Sequence, residues 1–123
     1  MRDDRERLLD IVEMCDNLSR YVVDGGRERM DRDPTVLAAA ERWVEVLGAA
    51  ARTISAELRA AHPEVPWQDV VGMRTILAHG YFHIDAEILW QVAYRDAPTI
   101  RTRALAMLDG PVQDRAGQER GSG

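Results

Sequence analysis

The sequence predicts an all-α protein, an up-and-down bundle of four to five helices. The fold class rests on three observations. Apolar residues recur at steps of three and four through most of the chain, no stretch sustains an alternation of period two, and prolines and paired glycines punctuate the periodic segments. The 123 residues suit one domain, and the 46% hydrophobic content is enough to build its core.

In chain order, residues 4 to 23 carry Leu8, Val12, Cys15, Leu18 and Val22 as one stripe of an amphipathic helix. "DGGRERMDRDP" (24–34), with paired glycines and a proline, reads as a loop. The clearest pattern follows. Leu37, Ala40, Val44, Leu47, Ala51, Ile54 and Leu58 form the unbroken seam of a long second helix. Trp43, Val46 and Ala50 add a second stripe, which fits either a wide core face or a contact with a partner chain. "AHPEVPW" ends the pattern, because two prolines three residues apart cannot share a helix interior. A third helix begins near Pro66 and carries Val70, Met73 and Leu77. Ile84, Ile88 and Val92 mark a fourth helix, and Pro98 opens a short fifth with Ile100, Leu105 and Leu108 apolar. The expected domain is residues 1–109, and the glycine-rich, polar stretch 110–123 is expected to be a disordered tail.

Composition narrows the function classes. A single cysteine, Cys15, cannot form a disulfide within the chain, which suits a reducing setting. The charged N-terminus "MRDDRERLLD" has no signal-peptide core. No apolar run approaches the roughly 18 residues of a membrane span. These features lead to the expectation of a cytoplasmic protein with no membrane partner. The net charge of −5 argues against a general nucleic-acid coat, which needs a broad basic surface. All 16 basic residues are arginine, so any phosphate contact uses the planar guanidinium, and a lysine nucleophile is excluded.

"RTILAHGYFHID" (74–85) sets Arg74, His79, Tyr81 and His83 into an otherwise apolar stretch. Three readings compete. In the first these groups are structural, snorkelling, capping or packing with a polar tip outward. In the second, His79, His83 and Glu87 sit at i, i+4 and i+8 as a metal site, although Gly80 stands where helical zinc hydrolases place a Glu. In the third, Arg74 grips a phosphate and His79 moves a proton near neutral pH, while RNA supplies its own 2′-hydroxyl as nucleophile. That chemistry needs neither metal nor cofactor. Positions 74 and 79 lie roughly 140° apart around a regular helix, so their convergence calls for a bend near Gly80.

The stretch fits Arg-x4-His-x-Tyr, and the chain resembles the HepT-like toxins of the HEPN superfamily. "LLDIVEMCDNLSRYV" resembles the family's first helix and "AAAERWVEVLGAAARTIS" its second. "HPEVPWQDVVGMR" resembles the Pro-Trp lead into the motif, and "HGYFHIDAEILW" the motif helix. The resemblance spans about residues 5 to 108 and implies a helical bundle that dimerises over a shared cleft. It further implies a metal-independent endoribonuclease, the toxin of a type VII toxin–antitoxin pair. RNA is then the substrate, and the partner is a minimal nucleotidyltransferase antitoxin that adds AMP to the motif tyrosine, with a larger hetero-oligomer of the two as a further expectation. Carried onto this chain, Arg74 holds the scissile phosphate, His79 transfers the proton and Tyr81 receives the modification. Thr75 keeps a supporting hydroxyl where relatives often have Asn. Ala49 stands where the family's Ile-Gly-Glu-Ala pattern has Glu. That departure motivates the alternative of a non-catalytic HEPN module that docks a nucleotidyltransferase or a nucleotide.

Overall fold

The computed structural model describes residues 3–78 and 85–110, and for 74–78 only the helix they belong to. Among these residues all regular structure is helical. The elements in order are α1 (Asp4–Leu18), a π-helical turn (Ser19–Val23), α2 (Arg27–Arg32), α3 (Pro34–Arg52), α4 (Ala56–Ala61), α5 (Trp67–Ala78), α6 (Ala86–Gln91), a second π-helical turn (Val92–Asp96) and α7 (Ala97–Asp109). α1 lies between α3 and α7, and α5 packs on α3. The all-α expectation is met, while the stretch 111–123 lies outside the described residues.

Helix starts follow from local chemistry. The first N–H groups of a helix lack intrahelical acceptors, and a short polar side chain before the first turn supplies one. Asp3 accepts from Glu6 N–H at 3.0 Å, Asp33 from Thr35 at 2.9 Å, Ser55 from Leu58 at 3.2 Å and Asp85 from Glu87 at 3.0 Å. Gly26, at φ +89°, takes a left-handed conformation that favours glycine and turns the chain from the first rod into α2.

The core seam of α1 and the π-helical turn after it is Leu8, Ile11, Cys15, Leu18 and Val22, all nearly sealed from solvent. Ile11 replaces the expected Val12, which packs at the edge of the core. Both residues are β-branched and adjacent, and the inward one is set by how α1 leans on α3 and α7. Segment 24–34 is not the expected loop throughout. It contains α2, held down by a fully buried Met30. Trp43 sits half-buried with its ring 5.6 Å from that of Tyr21.

The long second helix is broken. Its apolar phase runs on as predicted, with Ala40, Val44, Leu47, Ala51, Ile54 and Leu58 buried, but α3 ends at Arg52 and α4 starts at Ala56. The break is held from the first turn of α1. Asp4 is the one buried charged residue among those described, and its carboxylate accepts from both the backbone N–H (2.8 Å) and the hydroxyl (2.5 Å) of Ser55. The carbonyls freed at the break are also satisfied. Thr53 donates its hydroxyl to Ala50 at 2.8 Å, and Arg59 reaches back to the carbonyls of Ile54 and Arg52.

The expected fourth and fifth helices form one rod, α6 and α7 joined through the second π-helical turn. Proline has no N–H, and its ring collides with the carbonyl four residues earlier. Ahead of Pro98 the N–H of Ala97 reaches back five residues to Val92, a wider turn that opens room for the ring. The same extra residue rotates the apolar stripe. Leu89, Val92, Ala93, Ala97, Ile100, Ala104 and Met107 are buried, whereas the expected Ile88 and Leu105 are exposed.

Replacing Asp4 with Ala leaves the Ser55 amide and hydroxyl without their acceptor. The loss expected in urea unfolding is about 1–3 kcal/mol. Burial pushes the Cys15 thiol up to about 12, with Asp16 adding to the shift. Native protein at pH 8 should therefore resist iodoacetamide, and alkylation measured by intact mass should appear only under unfolding conditions.

Candidate active site on the motif helix

Helix α5 is anchored at its start. The carbonyl of Pro66 accepts from Val70 N–H at 3.1 Å, and the indole N–H of Trp67 donates to the carbonyl of His62 at 3.0 Å. His62 also pairs with Glu64 at 3.1 Å, so the lead "HPEVPW" is a braced turn. Val65 and Val70 are buried and press α5 onto α3. The function of the Pro-Trp lead is thus to fix where α5 begins and which face it presents. Arg74 and Thr75 belong to the second half of this helix. His79, Tyr81 and His83 lie outside the described residues, as does the bend looked for at Gly80.

Beside α5, between it and the α6–α7 rod, runs a half-open cleft of about 900 Å³. Its α5 wall includes Pro66, Val70 and Met73, the last immediately preceding Arg74, and its opposite wall includes Ile88, Val92 and Ile100. The interior is mainly apolar. Asp69, Gln91 and Arg95 provide polar groups along it.

A chain of charged contacts fixes one edge of this cleft. Arg27 of α2 donates through Nε to Asp31 at 3.0 Å and through Nη1 to Glu87 at 2.6 Å, and Gln91 donates its amide N–H to Glu87 at 2.9 Å. The Arg27 contact, then that of Gln91, holds the Glu87 carboxyl below the usual carboxylate range. The carboxylate suggested as a third metal ligand therefore already accepts two hydrogen bonds. Neither Asp69 nor Gln91 stood out in the sequence. They become neighbours of one space only when α5 and the rod are packed.

The helical class and the motif-bearing helix define a family that comparison with known proteins identifies. The description "Ribonuclease HepT-like" matches residues 11–107. The chain is 34% identical over 100 residues to a protein of Methanocaldococcus jannaschii named "Putative RNase MJ1380", covering 81% of this chain and 92% of that one. It is 30% identical over 108 residues to "Putative RNase TTE0752" of Caldanaerobacter subterraneus subsp. tengcongensis, covering 88% and 96%. To "Probable ribonuclease HepT" of Thermococcus cleftensis it is 29% identical over 100 residues, covering 81% and 91%. No solved structure matches. The chain belongs to the HepT-like ribonuclease family, and its enzyme class is endoribonuclease.

Because the Arg27 contact is the main cause of the lowered Glu87 value, the substitution Arg27→Met should raise its titration midpoint. The check is an NMR titration of side-chain carboxyl carbons. The sign follows from the lowered value: the pair's contribution to stability is present above the ordinary carboxylate pKa and fades as pH falls through the lowered one.

Proposed function

We propose that this protein is the toxin of a type VII toxin–antitoxin pair and cleaves RNA without a metal. The observation that carries the reading is Arg74-x4-His79-x-Tyr81 in a chain of a ribonuclease family, with Arg74 on a helix braced at its start. In the reaction the 2′-hydroxyl of the substrate attacks the adjacent phosphorus and the 5′-oxygen of the next nucleotide leaves. The products are a 2′,3′-cyclic phosphate and a 5′-hydroxyl end. Arg74 holds the non-bridging oxygens through its two-pronged guanidinium and stabilises the charge that builds on them. His79 handles the proton, and the Thr75 hydroxyl supports the site. A homodimer brings two such histidines to one cleft, one to take the proton from the 2′-hydroxyl and one to give a proton to the leaving oxygen.

Control follows from the same groups. A minimal nucleotidyltransferase antitoxin transfers AMP from ATP to the Tyr81 hydroxyl, with pyrophosphate as the leaving group. The added phosphodiester places a negative charge and a nucleotide's bulk beside Arg74, competing with RNA in both respects. The two proteins together form a hetero-oligomer.

Purified protein should cleave RNA in EDTA. His79→Ala should reduce the rate about 10²–10⁴-fold, as removal of a general acid–base does. Arg74→Lys keeps the charge but loses the fork, and should lower the rate about ten- to a hundredfold, the value of a hydrogen bond to a charged group. Equal cleavage by His79→Ala would reject the assignment. Tight binding to a nucleotidyltransferase by a chain that neither cleaves RNA nor arrests growth would instead favour the non-catalytic docking module, which the Ala49 departure motivates.

A further inference from the structure

The aromatic side chains of this protein are not spent on its core. Among the described residues the buried apolar set is made of Leu, Ile, Val, Met, Ala and Cys, with no ring in it. Trp67 braces the lead into α5, and the other described rings stand nearer the surface in pairs, Tyr21 with Trp43 and Trp90 with Tyr94. The first pair carries a third group. Arg20 and Tyr21 lie in the π-helical turn Ser19–Val23, a wide turn of the kind that often marks functional sites. The Arg20 guanidinium carbon sits 5.9 Å from the centre of the Tyr21 ring, and among the described residues no carboxylate pairs with it. Its neighbour Arg42, beside Trp43, is by contrast bonded to Glu45 at 3.2 Å. Tyr21 is 49% exposed, and its ring is 5.6 Å from that of the half-buried Trp43 at a tilt of 31°.

Two partly covered rings and one uncommitted cation suit a flat, anionic ligand better than a protein surface. A whole aromatic side chain offers about 150–250 Å², whereas a stable protein interface takes about 800 Å² from each partner. Exposed aliphatic residues do not enlarge the patch: Leu9 is about 18 Å back along α1, Ile88 lines the cleft and Leu105 is on α7. The second ring pair lacks the free charge, because Arg95 beside Tyr94 is bonded to Asp96 at 3.0 Å. Trp43 belongs to α3, the helix on which both α1 and α5 pack, so the patch and the motif helix share one supporting element.

Resting on the ribonuclease reading, we propose that Arg20, Tyr21 and Trp43 form a stacking platform that holds one unpaired nucleotide of a single-stranded RNA outside the scissile position. The base lies on the Tyr21 ring beside Trp43. The guanidinium leaves the ring for the phosphate of the same nucleotide, exchanging a contact with a π-face for forked hydrogen bonds to an anion. Every base has a π-face, so the platform accepts all four, and it rejects a duplex, whose bases are already stacked and enclosed.

The experiment uses the full-length protein and a 2′-O-methylated single strand of about twelve nucleotides, which binds but lacks the attacking hydroxyl. Binding is read by fluorescence anisotropy, and cleavage of the unmodified strand is followed in parallel. Tyr21→Ala should weaken binding at least about fivefold, the low end of what one base–aromatic stack contributes, and should raise KM rather than lower kcat. Tyr21→Phe, which keeps the ring, should restore both. Arg20→Met should weaken binding and lower the slope of log affinity against log salt by about 0.7, the value of one phosphate contact on a single strand. Tyr94→Ala removes an exposed ring without a free cation beside it and should change neither affinity nor KM. The inference is overturned by unchanged affinity in Tyr21→Ala, by equal weakening in Tyr94→Ala, by equal binding of a duplex, or by a change of oligomeric mass in Tyr21→Ala, which would assign the patch to a second copy. Each of these leaves the ribonuclease reading standing if the wild type still cleaves. Tyr21-dependent binding by a wild type that does not cleave has the opposite meaning: the platform stands and the ribonuclease reading falls.

Discussion

The contact between Asp4 and Ser55 is the constraint on which the arrangement of this bundle depends. A carboxylate taken out of water is costly unless its oxygens are satisfied, and here both are, by an amide and a hydroxyl fifty-one residues away. The contact links the first turn of α1 to the junction between α3 and α4. A continuous α3 would carry the chain straight past that point. The break instead lets α4 turn across, and the braced segment from His62 to Trp67 then returns the chain as α5 against α3. The position of Arg74 is the end product of that route.

A second constraint shapes the opposite wall. The π-helical turn ahead of Pro98 keeps α6 and α7 in one rod while shifting the phase between them. An uninterrupted α-helix would direct Ile88 and Ile100 differently, and a full break would release α6 from the bundle. The Arg27–Glu87 pair then fastens the exposed side of α6 to α2, whose buried Met30 makes it part of the core. Exposed ion pairs add little stability, so the importance of this one lies in orientation: it decides where the Gln91 amide points.

Much of this was legible in the sequence because helical period is a local property. The stripe Leu8, Cys15, Leu18 and Val22 and the seam from Ala40 to Leu58 could be read directly. What escaped is non-local. The break near Thr53 has only a faint local mark, the capping Ser55, since Ile54 and Leu58 keep the phase of α3; the group that holds Ser55 in place, Asp4, is far away in sequence. α2 offered one apolar residue among charged ones, and a single Met30 has no period. Ile88 was chosen over Leu89 because the phase was carried straight through a π-helical turn that only Pro98 signals. For the candidate site, the sequence placed Arg74 and Thr75 on a helix, as the structure does, and His79 and Tyr81 lie outside the described residues. Gln91 and Asp69 could not be singled out, because twenty-two positions and a change of helix separate them.

The acidic body has its own consequence for how such a chain handles a polyanion. With a net charge of −5 and only arginine for cations, it has no broad positive field to collect RNA from a distance. At physiological salt the repulsion is confined to roughly 8 Å, so a strand is not excluded, but nothing holds it in a wrong register either. Affinity then comes from a few short-range contacts. A forked guanidinium is suited to that task, because it gains most at hydrogen-bond distance and little beyond. Under the proposed reading this also explains why one modification suffices for control. Where binding is spread over many basic residues, blocking one leaves most of the affinity. Where it is concentrated at one guanidinium and its neighbours, a single added phosphate beside Arg74 removes the contact that the rest of the surface cannot replace.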